Sequence, residues 1–231
     1  AGAVDALFVV DTTGAGGNTV QVTDMVIEGI TAEGTGTPDV TYGAGDQVET
    51  VNIFTSMNAP GEQVNVQGTR SGSTYQLLTQ GGNDTVNISS DAPANAGNLN
   101  AIDGRININT GVGNDTLNVS DAGDGAPDTY IFGLAGQATT IAFGDGTAAT
   151  DITFNAPNFG GAADQLETFN IDGGTGNDVF TNAAGAGGTP LAAMMFATTN
   201  NTFNGNTGND AFTFEWSDGF NLAAGTNFVI N

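Results

Sequence analysis

Apolar and polar residues alternate in short runs along the chain, and Gly-rich segments separate the runs. Val64-Asn65-Val66 and Val86-Asn87-Ile88 are two examples. Alternation with a period of two places every second side chain on one face, which is typical of a β-strand with one buried face. No segment has the spacing of an amphipathic helix, and the Ala- and Met-rich stretch from Leu191 to Phe196 is too short to decide. The pattern therefore predicts an all-β fold.

The strongest repeat is the tripeptide Gly-Asn-Asp, which occurs four times with its Asp at positions 84, 115, 178 and 210. An apolar residue precedes each Asp by seven positions and another follows it by two, so we expect a strand on each side of each turn. The spacings are 31, 63 and 32 residues. Because 63 is close to two periods, we expect a degenerate middle copy with Thr150 in place of Asp, flanked by Ile141 and Phe143 before it and Ile152 and Phe154 after it.

A second internal match joins residues 46–53 to residues 164–171, with six of eight residues identical. The first of these segments leads to a turn in which Glu62 takes the position of the Asp, so it is a weaker early copy. In residues 1–45 apolar and polar residues also alternate, but the tripeptide Gly-Asn-Asp does not occur. We expect residues 1–45 to form an N-terminal β region, a cap or the first coils, continuous with the repeats of residues 46–231 in a single domain.

A nearly constant period of about 31 residues is typical of stacked repeats. The expected fold is a right-handed parallel β-helix, or β-solenoid, with Gly-Asn-Asp turns. A β-sandwich is the alternative, since short strands and Gly-rich turns also suit that fold. The strict offset of apolar residues from each Asp favours the solenoid, because coils must stack the same side chains. Asn residues beside the apolar positions could then form amide ladders, although solvent-facing Asn is commoner; they are Asn87, Asn107, Asn118, Asn170 and Asn204.

The charge of the chain excludes several classes of function. Its 231 residues include 25 acidic residues, two Arg and no Lys, for a net charge of −23, so it cannot neutralise nucleic acid or anionic membrane surfaces. Without His or Cys it has no Ser-His-Asp triad, Cys nucleophile, disulfide or usual zinc site. No apolar run is long enough to insert into a membrane. Hard cations with oxygen ligands best offset such a charge.

The turn from Gly173 to Thr181 reads Gly-Gly-Thr-Gly-Asn-Asp-Val-Phe-Thr, and the other three turns depart from it at the leading Gly pair. This pattern resembles the G-G-x-G-x-D-x-U-x repeats of secreted bacterial RTX, or haemolysin-type, calcium-binding proteins. The resemblance covers residues 75–214. It differs from that family in having one turn per long coil, where the family runs short repeats in tandem with turns on both sides of a narrow roll.

The resemblance implies Ca²⁺ between stacked turns, with Asp84 beside Asp115 and Asp178 beside Asp210 in one metal row that Thr150 interrupts. Gly would allow the close backbone approach, while Asp would supply charge. The alternative is a metal-free turn in which the Asp caps its own backbone. The expected ligands are Gly82, Asn83, Asp84, Gly113, Asn114, Asp115, Gly176, Asn177, Asp178, Gly208, Asn209, Asp210 and Glu62.

The sequence favours a structural protein over an enzyme. Asp121, Asp124 and Asp128 are candidates for the acid and base of a glycosidase, but a solvated or calcium-binding loop is the commoner role of such a cluster. Open strand edges at the ends of a solenoid recruit other chains. We therefore expect head-to-tail self-association into a homopolymer or lattice.

The expected function is an extracellular building block of a bacterial surface layer, sheath or filament, folded and assembled with calcium. The resemblance to RTX proteins implies type I secretion, and the chain, which lacks an initiator Met, is expected to be a processed or excised segment. The alternatives are a carbohydrate-binding adhesin module, in which Trp216 would contact surface polysaccharide, and the calcium-binding domain of a secreted enzyme.

Overall fold

The protein consists of short strands joined by turns. The computed structural model describes residues 5–11, 17–30, 36–42, 48–56, 60–135, 138–143, 151–154, 166–182, 200–214 and 227–231. These residues form strands and no helix, which confirms the all-β prediction, and they include no helix suited to crossing a membrane. The strands are β1 (Ala6–Val10), β2 (Thr19–Val22), β3 (Val26–Glu28), β4 (Pro38–Thr41), β5 (Thr50–Phe54), β6 (Gln63–Val66), β7 (Thr74–Leu78), β8 (Thr85–Ile88), β9 (Arg105–Asn109), β10 (Thr116–Ser120), β11 (Thr129–Ala135), β12 (Ala138–Ala142), β13 (Ile152–Phe154), β14 (Thr168–Asp172), β15 (Val179–Asn182), β16 (Asn200–Asn204), β17 (Ala211–Thr213) and β18 (Asn227–Ile230).

The strands form two mixed sheets of nine strands each. The first sheet has the order β1-β5-β7-β9-β13-β12-β11-β15-β17, and the second has the order β18-β16-β14-β10-β8-β6-β2-β3-β4. From β5 to β10 the chain alternates between the sheets, and strands within each sheet pair in parallel. Antiparallel pairs occur, within the described ranges, only in β2–β3–β4 and β11–β12–β13.

The core contains the inward-facing apolar side chains of both sheets. The positions that the repeat predicted as apolar stack in register, with Leu77 opposite Ile108 in the first sheet and Val86 opposite Leu117 in the second. All four side chains are almost fully buried. Burying a side chain of this size contributes about 1.5–3 kcal/mol, so the stacked apolar rows are a main source of stability.

The middle of the chain departs from the repeat. Strands β12 and β13 pair antiparallel within the first sheet, with Ile141 opposite Ile152. The prediction that they flank a degenerate Gly-Asn-Asp turn is therefore wrong, because the strands around Asp84 and Asp115 belong to different sheets. Thr150 itself lies outside the described residues. Apolar residues alternate in the same way in both arrangements, so the sequence pattern could not separate them.

Strands β11 and β12 reverse the order in which the later turns connect the two sheets. The turns containing Asp84 and Asp115 lead from the first sheet to the second, whereas those containing Asp178 and Asp210 lead from the second sheet to the first. In the first sheet β9, β13, β11 and β15 all point the same way, since two antiparallel pairings separate β13 from β11. Asp115 thus follows a strand of this sheet, and Asp178 precedes one. The two pairs of turns therefore lie at opposite ends of the strands. The expectation of one metal row is wrong.

Candidate functional site

The Gly-Asn-Asp turns stack directly on one another in pairs. A Cβ atom on Gly113 would overlap the carbonyl oxygen of Gly82, and a Cβ atom on Gly208 would overlap that of Gly176. Gly113 and Gly208 also have φ angles of 157° and 153°. Only glycine permits this approach of two backbones, so the repeated Gly sets the distance between adjacent turns.

Two hydrogen bonds of opposite direction join the turns of each pair. The backbone N–H of Asn114 donates to Oδ1 of Asn83 at 3.0 Å, and the N–H of Asp84 donates to Oδ1 of Asp115 at 2.8 Å. The later pair repeats this arrangement, from Asn209 to Asn177 at 2.9 Å and from Asp178 to Asp210 at 3.0 Å. The Asn side chains are exposed, whereas Asp84, Asp115 and Asp178 are buried.

The first carboxylate row consists of Glu62, Asp84, Asp115 and Glu167. Each residue except the last donates its backbone N–H to the carboxylate of the next, with distances of 2.7 Å to Asp84, 2.8 Å to Asp115 and 2.6 Å to Glu167. Glu62 therefore occupies the place that the early copy predicted for it. Because these bonds are charge-assisted, they hold the row more firmly than neutral bonds would.

The second carboxylate row consists of Asp128, Asp178 and Asp210, and it lies at the other ends of the strands from the first row. The N–H of Asp128 donates to Oδ1 of Asp178 at 2.9 Å, and the N–H of Asp178 donates in turn to Asp210. The structure thus brings Asp84 to Asp115 and Asp178 to Asp210, and it places these two pairs in separate rows.

Several carboxylate oxygens in both rows are buried without a hydrogen-bond donor. They are both oxygens of Glu62 and the Oδ2 atoms of Asp84, Asp115, Asp128 and Asp178. A buried, ionised oxygen without a partner is costly, and such sites are normally satisfied by a proton, a water molecule or a cation. With only two Arg in the chain, protein cations are scarce. These oxygens are therefore available to a metal ion or a proton.

Burial raises the pKa of four acids in the two rows. Burial, together with the neighbouring carboxyl group of Asp84, raises the pKa of Glu62 to about 8. Burial likewise raises the pKa of Asp115 and of Asp128 to about 6, and it raises the pKa of Asp178. Glu62 lies within hydrogen-bonding reach of Asp84, so this pair can share one proton.

The Asp121 turn, residues 121–128, adds further acids to the second row. Carboxylate oxygens of Asp121, Asp124 and Asp128 lie within 4.8 Å of one another. Asp121 accepts hydrogen bonds from the N–H of Leu99 at 2.8 Å and the hydroxyl of Tyr130 at 2.9 Å. In the described part of the chain this is the one such group of three carboxylates. Asp121, Asp124 and Asp128 are not among the ligands expected from the repeat, although a calcium-binding loop was one of the roles expected for them.

Sequence reasoning missed Glu167 and Asp128 as members of the rows. A signal for Glu167 was present in the match of residues 46–53 to 164–171, where it corresponds to Glu49. Glu49 accepts the N–H of Asp5 at 2.7 Å, just as Glu167 accepts that of Asp115. The repeated Glu thus marks a position that bonds to a neighbouring layer. Nothing comparable in the repeat pointed to Asp128.

Asn side chains on neighbouring strands of the second sheet bond to one another. Asn65, Asn87, Asn118 and Asn170 form an amide ladder across the second sheet, with distances of 2.8 to 2.9 Å between successive side chains. Tyr75 and Tyr130 are fully buried and belong to the core. Trp216, the residue expected to contact a polysaccharide, lies outside the described residues.

The chain was compared with protein-family models, curated proteins and solved structures, and none of them matches it.

Proposed function

We propose that this chain is a structural building block: a calcium-stabilised β-solenoid that stacks end to end into an extracellular surface layer, sheath or filament of a bacterium. The observation that carries the proposal is the direction of the strands at the free edges of the two sheets. In the described residues, β1 and β17 end the first sheet, and β4 and β18 end the second. Each of these strands has a hydrogen-bonded neighbour on one side only.

The two ends of each sheet have matching directions. The antiparallel pairings in each sheet come in twos, so β1 is parallel to β17 and β4 is parallel to β18. A second copy placed on the end of the first could therefore continue both sheets as parallel sheets. Open edges of this kind pair readily with other strands, and repetition of one head-to-tail contact produces a filament.

Exposed apolar side chains on the end strands support the same contact. Phe8 and Val10 of β1 are 65% and 48% exposed, and Val229 and Ile230 of β18 are 44% and 48% exposed. These four are among the six large apolar side chains that are exposed in the described residues. Their position on both end strands favours burial against a neighbouring copy.

The two carboxylate rows would provide the ligands for calcium. Their buried oxygens lack donors, and hard oxygen ligands of this kind suit Ca²⁺. The resemblance of the turns to RTX repeats suggests the same ion and an extracellular, calcium-rich location. Ions that bind the folded chain alone would stabilise it by mass action, so folding would follow export.

Ile230→Pro tests the assembly. The backbone N–H of Asn231 donates to the carbonyl of Phe203 in β16, and the carbonyl of Asn231 accepts the N–H of Gly205 just after β16. The N–H of Ile230 therefore faces the open side of β18. Proline removes this donor with little effect on the internal pairing, and Ile230→Thr is the matched control because it retains the donor. We expect the parent chain and Ile230→Thr to form filaments in millimolar Ca²⁺ and Ile230→Pro to form short particles, as measured by light scattering and electron microscopy. A parent chain that stays monomeric at high concentration in Ca²⁺ would overturn the proposal.

A further inference from the structure

We propose that the Asp121 turn and Asp178 together form a Ca²⁺ site, in which one ion joins this turn to the Gly-Asn-Asp turn of the next layer. The site deepens the proposed function, since it specifies where an ion that stabilises the stack would bind. It differs from the ligand set expected from the repeat, because three of its four acids lie outside every Gly-Asn-Asp tripeptide.

The distances within the Asp121 turn suit a single ion. Calcium binds oxygen at about 2.3–2.6 Å, so two ligands on opposite sides of one ion are about 5 Å apart. The carboxylate oxygens of Asp121, Asp124 and Asp128 meet this condition, since all lie within 4.8 Å of one another. One ion can therefore contact all three without a large movement of the turn.

Asp178, in the next turn, has a buried carboxylate oxygen without a partner. Its side chain has no exposed surface, its Oδ1 accepts the N–H of Asp128 at 2.9 Å, and its Oδ2 has no hydrogen-bond partner. Asp128 Oδ2 is likewise buried without a partner. The charges that act on Asp128 are those of Asp121, Asp124 and Asp178, all negative. A divalent cation bound by the Asp121 turn would satisfy the orphaned oxygen of Asp128 and offset the repulsion among the four acids.

Neutral donors hold the other ligands in place. Tyr130 and the backbone of Leu99 fix Asp121, while Asp124 accepts the N–H of Ala126 at 2.7 Å and the side-chain amide of Asn100 at 3.0 Å. These contacts leave the charge of the acids uncompensated. The arrangement orients the carboxylates before an ion binds, which lowers the entropic cost of binding.

The backbone also links the two layers at this point. The N–H of Thr175, in the next turn, donates to the carbonyl of Asp124 at 2.7 Å. Gly174 approaches the same carbonyl so closely that a Cβ atom there would overlap it. An ion held by Asp124 and Asp178 would therefore bridge two turns that are already in contact and would resist their separation.

The test uses the full chain after treatment with a chelator, with Asp128→Asn as the site variant. The amide keeps the shape and the backbone N–H that Asp178 accepts, but it removes the charge of the ligand with an orphaned oxygen. Asp103→Asn is the matched control, because it removes one charge from an exposed residue outside the site. Calcium binding is measured by calorimetry and thermal stability by melting, each with and without Ca²⁺.

We expect Asp128→Asn to melt higher than the parent in chelator, because it relieves repulsion, and to bind Ca²⁺ about tenfold or more weakly at one site. Asp103→Asn should match the parent in both measurements. If the parent binds Ca²⁺ and Asp128→Asn binds it with the same stoichiometry and affinity, the site is wrong while calcium-stabilised stacking stands. If the parent binds no Ca²⁺, both are wrong.

Luminescence of bound Tb³⁺, a calcium substitute, gives a second readout that does not depend on stability. The hydroxyl of Tyr130 bonds directly to Asp121, so excitation of tyrosine should sensitise an ion in this site. We expect Tyr130→Phe to lose most of the sensitised signal while retaining Ca²⁺ binding in calorimetry. An unchanged signal in Tyr130→Phe would place the ion elsewhere and overturn the proposal.

Discussion

The two carboxylate rows contain the same tripeptide but face different neighbours. In the first row, Asp84 lies against Glu62, and the two carboxyl groups can share a proton. In the second row, Asp178 lies against the Asp121 turn and its three further carboxylates. The first row therefore has a means of reducing its charge without metal, whereas the second concentrates charge that a cation would offset.

Strands β11 and β12 create this difference. They move the later Gly-Asn-Asp turns to the opposite ends of the strands. In addition, β11 pairs with β15, and this pairing places Asp128 beside Asp178. An identical motif thus acquires different chemistry from the segment that the topology brings next to it.

The largest effect is expected where the rows are alike, in the glycine that allows stacking. Gly113→Ala should reduce the free energy of unfolding by more than about 4 kcal/mol, since its Cβ would overlap the backbone of the turn beneath it. Gly72→Ala is the control, because Gly72 has a φ of 81° but open space around it. It should cost only about 1–2 kcal/mol in urea unfolding, the cost of the left-handed conformation alone. Equal costs for the two variants would contradict tight stacking.

The two rows should differ in their response to calcium. Asp115→Asn and Asp178→Asn both keep an oxygen that can accept the backbone N–H of a neighbouring turn. Asp178→Asn should abolish most of the rise in melting temperature that Ca²⁺ produces, and Asp115→Asn should abolish less than half of it, because more acids converge on Asp178. Equal losses, measured by calorimetric melting, would mean that the rows do not differ as ligands.

In the absence of metal, the stability of the protein should depend on the protonation of Glu62. The pKa of Glu62 is raised from 4.5 to about 8, so its folded form holds a proton that the unfolded chain has already released. Its contribution to stability is complete below pH 4.5 and is lost as the pH rises to 8. Glu62→Gln should therefore flatten the fall in melting temperature between pH 6 and pH 8. Asp103→Asn should retain that fall, and a parent chain without one would contradict the shared proton.

The smallest effect is expected in the amide ladder. Asn118 donates to Asn87 and accepts from Asn170, both at 2.8 Å, whereas Asn107 donates to Gln76 at 3.2 Å. Asn118→Ala should lower the free energy of unfolding by about 1–2 kcal/mol, and Asn107→Ala by less. Urea unfolding of the two variants measures the difference. A larger loss for Asn107→Ala would show that the ladder contributes little.

The sequence was sufficient for the strands that flank the Gly-Asn-Asp turns and for the contacts between adjacent turns. Alternation identified the buried positions, and spacings of 31 and 32 residues identified which turns stack. Even Glu62, a substitution within the repeat, lies where its position in the early copy predicted. These features depend on local pattern and on a regular period, and both can be read directly along a chain.

The placement of the second row could not be predicted in the same way. The spacing of 63 residues fits a missing repeat, but it also fits two extra antiparallel strands in one sheet. Ile141 and Ile152 are buried in either arrangement, so hydrophobicity does not distinguish them. The matched segments 46–53 and 164–171 lead into β5 and β14, which lie in different sheets despite their similar sequences. Sheet membership depends on pairing between distant strands, which the repeat does not specify.

The central claim, that the buried carboxylates link stability to calcium, is tested most directly by a calcium titration of chelator-treated protein with far-UV circular dichroism and thermal melting. One site at a calcium concentration of a hundred times its Kd adds about 2.7 kcal/mol, which corresponds to a rise of roughly 5–11 °C for a chain of this size. We predict a rise of at least this magnitude, together with a stronger β signal. An unchanged melting temperature in millimolar Ca²⁺ would contradict the claim and leave the Gly-Asn-Asp turns as metal-free hydrogen-bonded ladders.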